Sequence, residues 1–550
     1  MSIESGGGNN MIKQKYGVVY TPDSLAQFVA ALLKRTAESS SQIIRTVLDP
    51  SSGECALLNA AKKAFGTECA YIGIDVDREA VNATKDSFTI IHNDTILPQN
   101  VKRKAADYWR GKLPEIDAII ANPPWSSEKI YDRSELNSSG YTLASGQYDS
   151  YVLFLELAVN LLRDNGIFAF IIPDSLFDSQ NERLRKFLVE KTCIRVIARL
   201  GEKIFDEVNR AATVIVCQKA APTADSETIC FRLSTDDRKA YLSGDGTLIA
   251  FFDDKQHIVK QSRFLCNSGY NFDIDTHTDE EHLLSIITSN SICWKDTFVF
   301  GRGVEISKTG KVVYCPNCGC AQGYKKKQLE VGKKKCVNCG SEIPVTNDTA
   351  QNVITRVPDD DSVSVFVGEN IRRYKISGEC YIKPHIEGIN YKNRELYLPP
   401  KLLIRKTGLG IYCAIDYTGS MTSQTVYILK YADGNNRTPL EYYLALLNSR
   451  VVYYYYLKTY GENEWKSHPY LTKQIIYTFP IRPFNGDQID TEIIALASKL
   501  MRKYDYSTDI KLERLIMKKY GLTKDEQELI IREMNSLPNL GAVNDMKMEV

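Results

Sequence analysis

A chain of 550 residues is too long for one ordinary hydrophobic core, so two or three domains are expected. A hydrophobic share of 43% with 25% charged residues is that of a soluble globular protein, and no apolar run approaches the ~18 to 20 residues of a membrane span. A net charge of +1 excludes a nucleic-acid surface spread over the whole chain and leaves only local basic patches.

The amino terminus, MSIESGGGNN, is polar and reads as neither a signal peptide nor a transit peptide. Fourteen cysteines scattered through a large chain suggest a reducing cytoplasm, thiols and a metal site rather than a disulfide framework. From about residue 43 to 219, short apolar runs alternate with amphipathic ones, the pattern of an α/β domain whose parallel sheet carries helices on both faces. IIRTVLD is a strand ending at Asp49, followed by the turn PSSGECALL and a helix through NAAKKAF. AYIGIDVD ends a second strand in Asp75 and Asp77, with EAVNATKDSF as the next helix. FTIIHND and EIDAIIANPPW give a third and a fourth strand, ending at Asp94 and Asn122. YVLFLELAVNLLRDNG is a long helix closed by Gly166, IFAFIIP a fifth strand, and IRVIARL and AATVIVCQK two more.

In such sheets ligands sit beyond the carboxyl ends of the strands, where Asp49, Asp75, Asp94 and Asn122 fall. Gly53 permits a tight turn whose following helix presents its amino end to an anionic group. Asp75 is placed to accept hydrogen bonds from ribose hydroxyls and Asp94 to receive an adenine amino group, which together suit an adenosine-containing cofactor. For any one of these aspartates, a turn or cap role is the ordinary alternative.

The order of the pieces resembles the adenine-specific, amino-group DNA methyltransferases whose target recognition domain follows the catalytic domain. GVVYTP at 17–22 is similar to that family's amino-terminal cofactor motif, which implies cofactor contacts for Tyr20, Thr21 and Pro22. DPSSGECALL resembles its DPxxGxGxFL loop, which adds Asp49, Pro50, Ser51 and Gly53; GIDVD, NDTIL and NPPW follow at the family's intervals, and the match continues to residue 219. Cys55 stands where the family usually has glycine, a departure able to reshape the methionine end of the pocket. The resemblance implies a Rossmann-like S-adenosylmethionine-dependent methyltransferase sheet. An exocyclic adenine amine is a poor nucleophile, and the Asn122 side-chain oxygen with the Pro123 carbonyl would accept its hydrogens and aim its lone pair. The prolines fix the turn. Trp125 would stack on the flipped-out base, and by resemblance Phe205 in LGEKIF would cover its other face. The plain alternatives are a loop with an anchoring tryptophan and a core phenylalanine.

Downstream, CPNC and CVNC place Cys315, Cys318, Cys336 and Cys339 as two knuckles 17 residues apart, spacing suited to a structural zinc site with no open coordination position. Lysine runs at 325–327 and 333–335 are either a solvated face or phosphate contacts. The expected domains are a catalytic domain over 1–222, a mixed α/β recognition domain over 223–485 with the zinc ribbon inserted at about 312–342, and a helical segment over 486–550, where Thr523 and Glu526 suggest a capping box. Arg405, Lys406 and Gln424 are residue types suited to base edges. The sequence shows no nuclease constellation. Expected partners are double-stranded DNA and proteins of a restriction or phage-defence system, with no membrane. Methylation of RNA or of a protein glutamine, and a non-catalytic DNA-binding subunit, stay open as alternatives.

Overall fold

The computed structural model describes residues 21–548 except 85, 99–103, 126–130, 147, 206–209, 307–309, 433–437, 461–470 and 538–540. The chain divides into two compact units, Met1–Glu280 with Lys458–Lys466, and Glu281–Leu457 with Ser467–Val550. No helix among the described residues is long and apolar enough to cross a membrane.

The first unit is built on β1 (Thr46–Asp49), β2 (Ala70–Asp75), β3 (Thr89–His92), β4 (Ala118–Ala121), β5 (Ile167–Pro173), β6 (Cys193–Gly201), β7 (Ala212–Gln218), β8 (Glu227–Arg232) and β9 (His257–Lys260). These form one sheet in the order β3-β2-β1-β4-β5-β7-β6-β8-β9. Helices α1 (Asp23–Ser39), α2 (Ala56–Phe65), α3 (Arg78–Thr84), α4 (Ala105–Arg110), α5 (Arg133–Ser138), α6 (Tyr151–Leu161) and α7 (Glu182–Lys191) accompany it. Because side chains alternate along a strand, each central strand feeds two cores. Leu48, Ile119, Phe168 and Phe170 pack with α4 to α7, whereas Val47, Ile120, Ala169 and Ile171 pack with α1 and α2.

The sheet is parallel over β1 to β5 and again between β6 and β8. β7 runs antiparallel to both β5 and β6, which corrects the all-parallel expectation. The β6–β7 connection is a short one, and a short connection can only return the chain antiparallel, whereas a parallel return needs a long crossover. The sheet also passes the expected boundary at 222, since β8 pairs with β6 and β9 with β8.

The second unit centres on a four-stranded antiparallel sheet whose spatial order is Phe298–Arg302, Val426–Tyr431, Lys401–Arg405 and Cys413–Asp416. The carboxy-terminal helices are Gln488–Arg502, Tyr506–Lys519 and Lys524–Ser536, and Thr523 with Glu526 forms a capping box at the start of the last. They are tied inward by a buried ion network in which Asp509 receives Arg373 and Arg450, and Glu513 receives Arg450. An unpaired charge at any of these positions would be costly, so the network makes the helices part of this unit's core.

Candidate functional site

Beyond the carboxyl ends of β1 to β4 lies a cleft of about 1110 Å³, its open mouth included, lined by Thr21, Asp49, Gly53, Asp75, Asp94 and Asn122 among others.

The turn after β1 is held by the strand ends beside it. Asp49 Oδ1 accepts the Ser51 N–H at 3.0 Å, Asp75 Oδ2 accepts the Gly53 N–H at 2.7 Å, and the Ser52 N–H donates to the Ile74 carbonyl at 3.0 Å. Gly53 has φ +46, and a Cβ added there would meet nothing within 4 Å, so open space stands over the turn. Cys55 also has a left-handed backbone, φ +61, which supplies the physical reason a glycine suits that position. Its side chain is buried in the α1–α2 core and does not line the cleft. The thiol packs inward, and burial pushes it up to about 11.

Burial raises all three strand-end carboxyls. Asp49, fully enclosed, is pushed up to about 8 by desolvation, opposed by its Ser51 backbone bond and reinforced by the charge of Asp75. Asp75 and Asp94 are raised for the same first cause. Asp75 Oδ1 accepts the Asp77 N–H at 2.8 Å, while Asp94 Oδ1 accepts the Ile96 and Leu97 N–H groups and the Tyr131 hydroxyl at 3.2 Å. The structure thus brings Asp49, Pro50, Ser51, Gly53, Asp75, Asp94, Asn122, Pro123 and Trp125 to one cleft. Thr21 joins them and Pro22 caps α1, whereas Tyr20 lies outside the described residues.

Asn122 follows β4 directly. Its Nδ2 donates to Thr21 Oγ1 at 3.0 Å, which commits the donor end of the amide and fixes which way it faces. The Ser150 hydroxyl donates to the Pro124 carbonyl, and Arg210 donates to the Trp125 carbonyl at 2.7 Å. Trp125 is nearly buried, its Nε1 reaching the Ile171 carbonyl at 3.4 Å. Phe205 lies beside it with ring centroids 5.3 Å apart and planes at 89°, so the two aromatics meet edge to face and would have to part to admit a base between them. Sequence reasoning missed Arg210, the Thr21–Asn122 bond and Gly73. Only Gly73 carried a local signal, because a glycine inside a strand marks a close backbone approach.

In the second unit, the sulfurs of Cys315, Cys318, Cys336 and Cys339 all lie within 4.8 Å of one another, with 3.5 Å between Cys315 and Cys339 and 3.6 Å between Cys318 and Cys336. Four thiolates at ~2.3 Å from a tetrahedral zinc stand about 3.8 Å apart, so the set fits that ion. The two knuckles repeat one design: Gly319 donates to the Cys315 carbonyl and Gly340 to the Cys336 carbonyl, both glycines at positive φ. Gln322 Nε2 donates to Cys336 Sγ at 2.9 Å, an outer contact that orients this thiol. Lys325, Lys326, Lys327 and Lys335 are exposed. Lys333 pairs with Glu342, and Lys334 turns inward to the Gly323 carbonyl. Of the suggested base readers, Arg405 is partly engaged by the Thr407 carbonyl, Lys406 lies over the Tyr427 ring and Gln424 is exposed.

Residues 70–205 match the Eco57I restriction-modification methylase family, and residues 363–481 match the TaqI-like C-terminal specificity domain. The type II methyltransferase M.AccI of Acinetobacter calcoaceticus is 26% identical over 215 residues, 37% of this chain and 37% of that protein. The type II methyltransferase M.TthHB8I of Thermus thermophilus is 26% identical over 186 residues, 32% of this chain and 39% of that protein. The matched part therefore spans well under half the length of these relatives. A solved nuclease-deletion mutant of the Type ISP restriction-modification enzyme LlaGI, in complex with a DNA substrate mimic, shares the fold at TM-score 0.51 and 14% identity, covering 90% of this chain and 56% of that one. A large mixed sheet, a match to the Eco57I restriction-modification methylase across much of it and a match to the TaqI-like C-terminal specificity domain in the second unit converge: over these two segments the chain is similar to restriction-modification methyltransferases that carry a methylase domain followed by a specificity domain.

Proposed function

We propose that this chain methylates the exocyclic N6 amine of an adenine turned out of duplex DNA, within one sequence context. The observation that carries the reading is the Thr21–Asn122 bond, which orients the amide of the Asn-Pro-Pro-Trp turn at the rim of the cleft that the three acidic strand ends form.

The cleft's residues suit S-adenosylmethionine, which when bound supplies the methyl group as an electrophilic sulfonium methyl. Asp75 would hold the ribose hydroxyls and Asp94 the adenine amine, while the turn at Gly53 and the start of α2 would receive the cofactor's carboxylate. Thr21 holds the nitrogen end of the Asn122 amide and so sets where its oxygen stands. With the Pro123 carbonyl, that oxygen would accept the substrate amine's two hydrogens and hold its lone pair toward the cleft, by position and electrostatics alone. Trp125 and Phe205 would flank the base. Attack by nitrogen needs no covalent intermediate on the protein.

The four cysteines would hold a structural zinc that keeps the ribbon folded, and the ribbon's exposed lysines would contact DNA phosphates. Phosphate contacts position without specifying sequence, so base reading falls to the rest of the specificity domain. Proteins of a restriction or defence system are the partners this reading implies.

The test is transfer of labelled methyl groups to duplex DNA by the wild type and by Asn122→Ala. The variant is expected to lose on the order of 10²- to 10³-fold in kcat, as when one preorganised polar group is removed, with cofactor affinity little changed. Full activity in Asn122→Ala would overturn the mechanism.

A further inference from the structure

We propose that Arg210 is a positioning residue for this transfer, a clasp that joins the Asn-Pro-Pro-Trp turn to the segment carrying Phe205. The inference rests on the methyl-transfer reading above and extends it to residues outside both the cofactor strands and the turn.

The turn has little backbone with which to hold itself. Pro123 and Pro124 have no N–H groups, so the usual turn bonds from those residues are missing and outside groups must fix its carbonyls. Two do so. The Ser150 hydroxyl, at the start of α6, takes the Pro124 carbonyl. Arg210, two residues before β7, takes the Trp125 carbonyl at 2.7 Å through Nη1 and Asp149 Oδ2 at 2.6 Å through Nη2. Asp149 is itself held, since its Oδ2 also accepts from the Ser175 hydroxyl at 3.2 Å. With Thr21 on the Asn122 amide, the turn is gripped at its first, third and fourth residues from three separate parts of the chain. No hydrogen bond among the described residues reaches the Pro123 carbonyl, one of the two acceptors the reaction uses.

Arginine chemistry is suited to this place. Two donors on one planar group reach two acceptors at once, which a lysine ammonium on a flexible stem does not reproduce. The Arg210 guanidinium also lies 5.9 Å from the centre of the Trp125 ring, and Arg210 ends the connection from β6 that bears Phe205. One side chain therefore fixes the Trp125 peptide and anchors the segment beside the second aromatic. Without it, turn and segment move independently and the Pro123 carbonyl loses its aim.

The experiment compares the full-length wild type, Arg210→Ala, Arg210→Lys, Asp149→Asn and the Ala/Asn double variant, measuring kcat and KM on duplex DNA at several salt concentrations and cofactor affinity by calorimetry. Arg210→Ala is expected to lose about a hundredfold in kcat, as a misplacement near 1 Å does, while cofactor affinity stays within about twofold. Arg210→Lys recovers less than about tenfold of that loss, and the double variant falls no further than Arg210→Ala, because both changes open one clasp. An unchanged kcat overturns the proposal. So does a loss confined to KM for DNA with a salt slope reduced by about one, which would make Arg210 a phosphate contact. Should Arg210→Ala fail to fold, Arg210→Lys decides alone: a kcat equal to wild type overturns the clasp and a lowered one supports it. Absence of transfer by the wild type would instead overturn the methyl-transfer reading, which the ratios between variants do not probe.

Discussion

Gly73 offers the sharpest structural test of the cofactor turn. It pairs with Asp49 on one side and Ile90 on the other, and an added Cβ would stand 2.6 Å from Ile90 Cδ1, 2.7 Å from Ser52 Oγ and 2.8 Å from Ser52 Cβ. The isoleucine tip and the hydroxyl can rotate away. Ser52 Cβ cannot, because it is fixed to the backbone, and carbon atoms sit comfortably only from about 3.5 Å, so the turn must retreat by roughly 0.7 Å. The same motion stretches the Ser52 bond to the Ile74 carbonyl, now 3.0 Å, and the Gly53 bond to Asp75, now 2.7 Å. Overpacking of this kind costs about 1 to 3 kcal/mol. A turn displaced in the free protein must be pushed back when ligand binds, so Gly73→Ala should weaken cofactor affinity by about 5- to 150-fold. Calorimetric titration with S-adenosylhomocysteine measures this directly. Thermal stability is a poorer guide, because alanine is intrinsically better than glycine in a strand by about 0.5 to 1 kcal/mol. Wild-type affinity in Gly73→Ala would refute the claim that this close approach shapes the pocket.

Other consequences follow from the same geometry. Because desolvation lifts Asp49 to about 8, the free protein keeps this proton at neutral pH; the stability contributed by the neutral carboxyl is full below about pH 4 and is lost as pH rises through 8. A cationic sulfonium favours the carboxylate, so cofactor affinity should rise with pH toward about 8 and then level, with proton release detectable by calorimetry in buffers of different ionisation enthalpy; Asp49→Asn should flatten the profile, and a flat wild-type profile would contradict the assignment. Arg450→Met leaves Glu513 buried without its arginine partner and should cost about 3 to 5 kcal/mol, read from the denaturant midpoint; an unchanged midpoint would deny the network its role in holding the carboxy-terminal helices. Cys339→Ser should lower bound zinc from one equivalent per chain toward none by atomic emission, and a wild type purified without metal that is equally stable with and without zinc would refute the ribbon.

The strand ends were legible because each central strand is a short apolar run that stops at one polar residue, and the sheet places those residues side by side. Asp49, Asp75, Asp94 and Asn122 needed no tertiary knowledge to be grouped. The cysteine knuckles were legible for a similar reason, since the spacing within each pair leaves few other geometries. Strand direction was not legible: β7 reads like the parallel strands β1 and β4 because burial on both faces erases any alternation that could distinguish it. β9 was hidden by brevity, a four-residue edge strand with a single buried residue. The supports of the site were hidden by distance along the chain. Thr21 lies 101 residues from Asn122 and Arg210 lies 85 from Trp125, and nothing local in either segment announces its partner. Cys55 carried a signal that the sequence left open. A departure from glycine suggested a changed pocket; the left-handed backbone gives the conformational reason that glycine suits the turn, and the side chain lies in a buried cluster.

The most direct measurement is the identity of the methylated product. Duplex DNA, RNA and protein are incubated separately with the full-length chain and labelled S-adenosylmethionine, then digested and resolved by mass spectrometry, with the DNA arm sequenced for context. The account predicts label in N6-methyladenine alone, at one recurring DNA sequence. Label in cytosine, in RNA or in glutamine side chains, or no transfer from a protein that binds the cofactor, would contradict it.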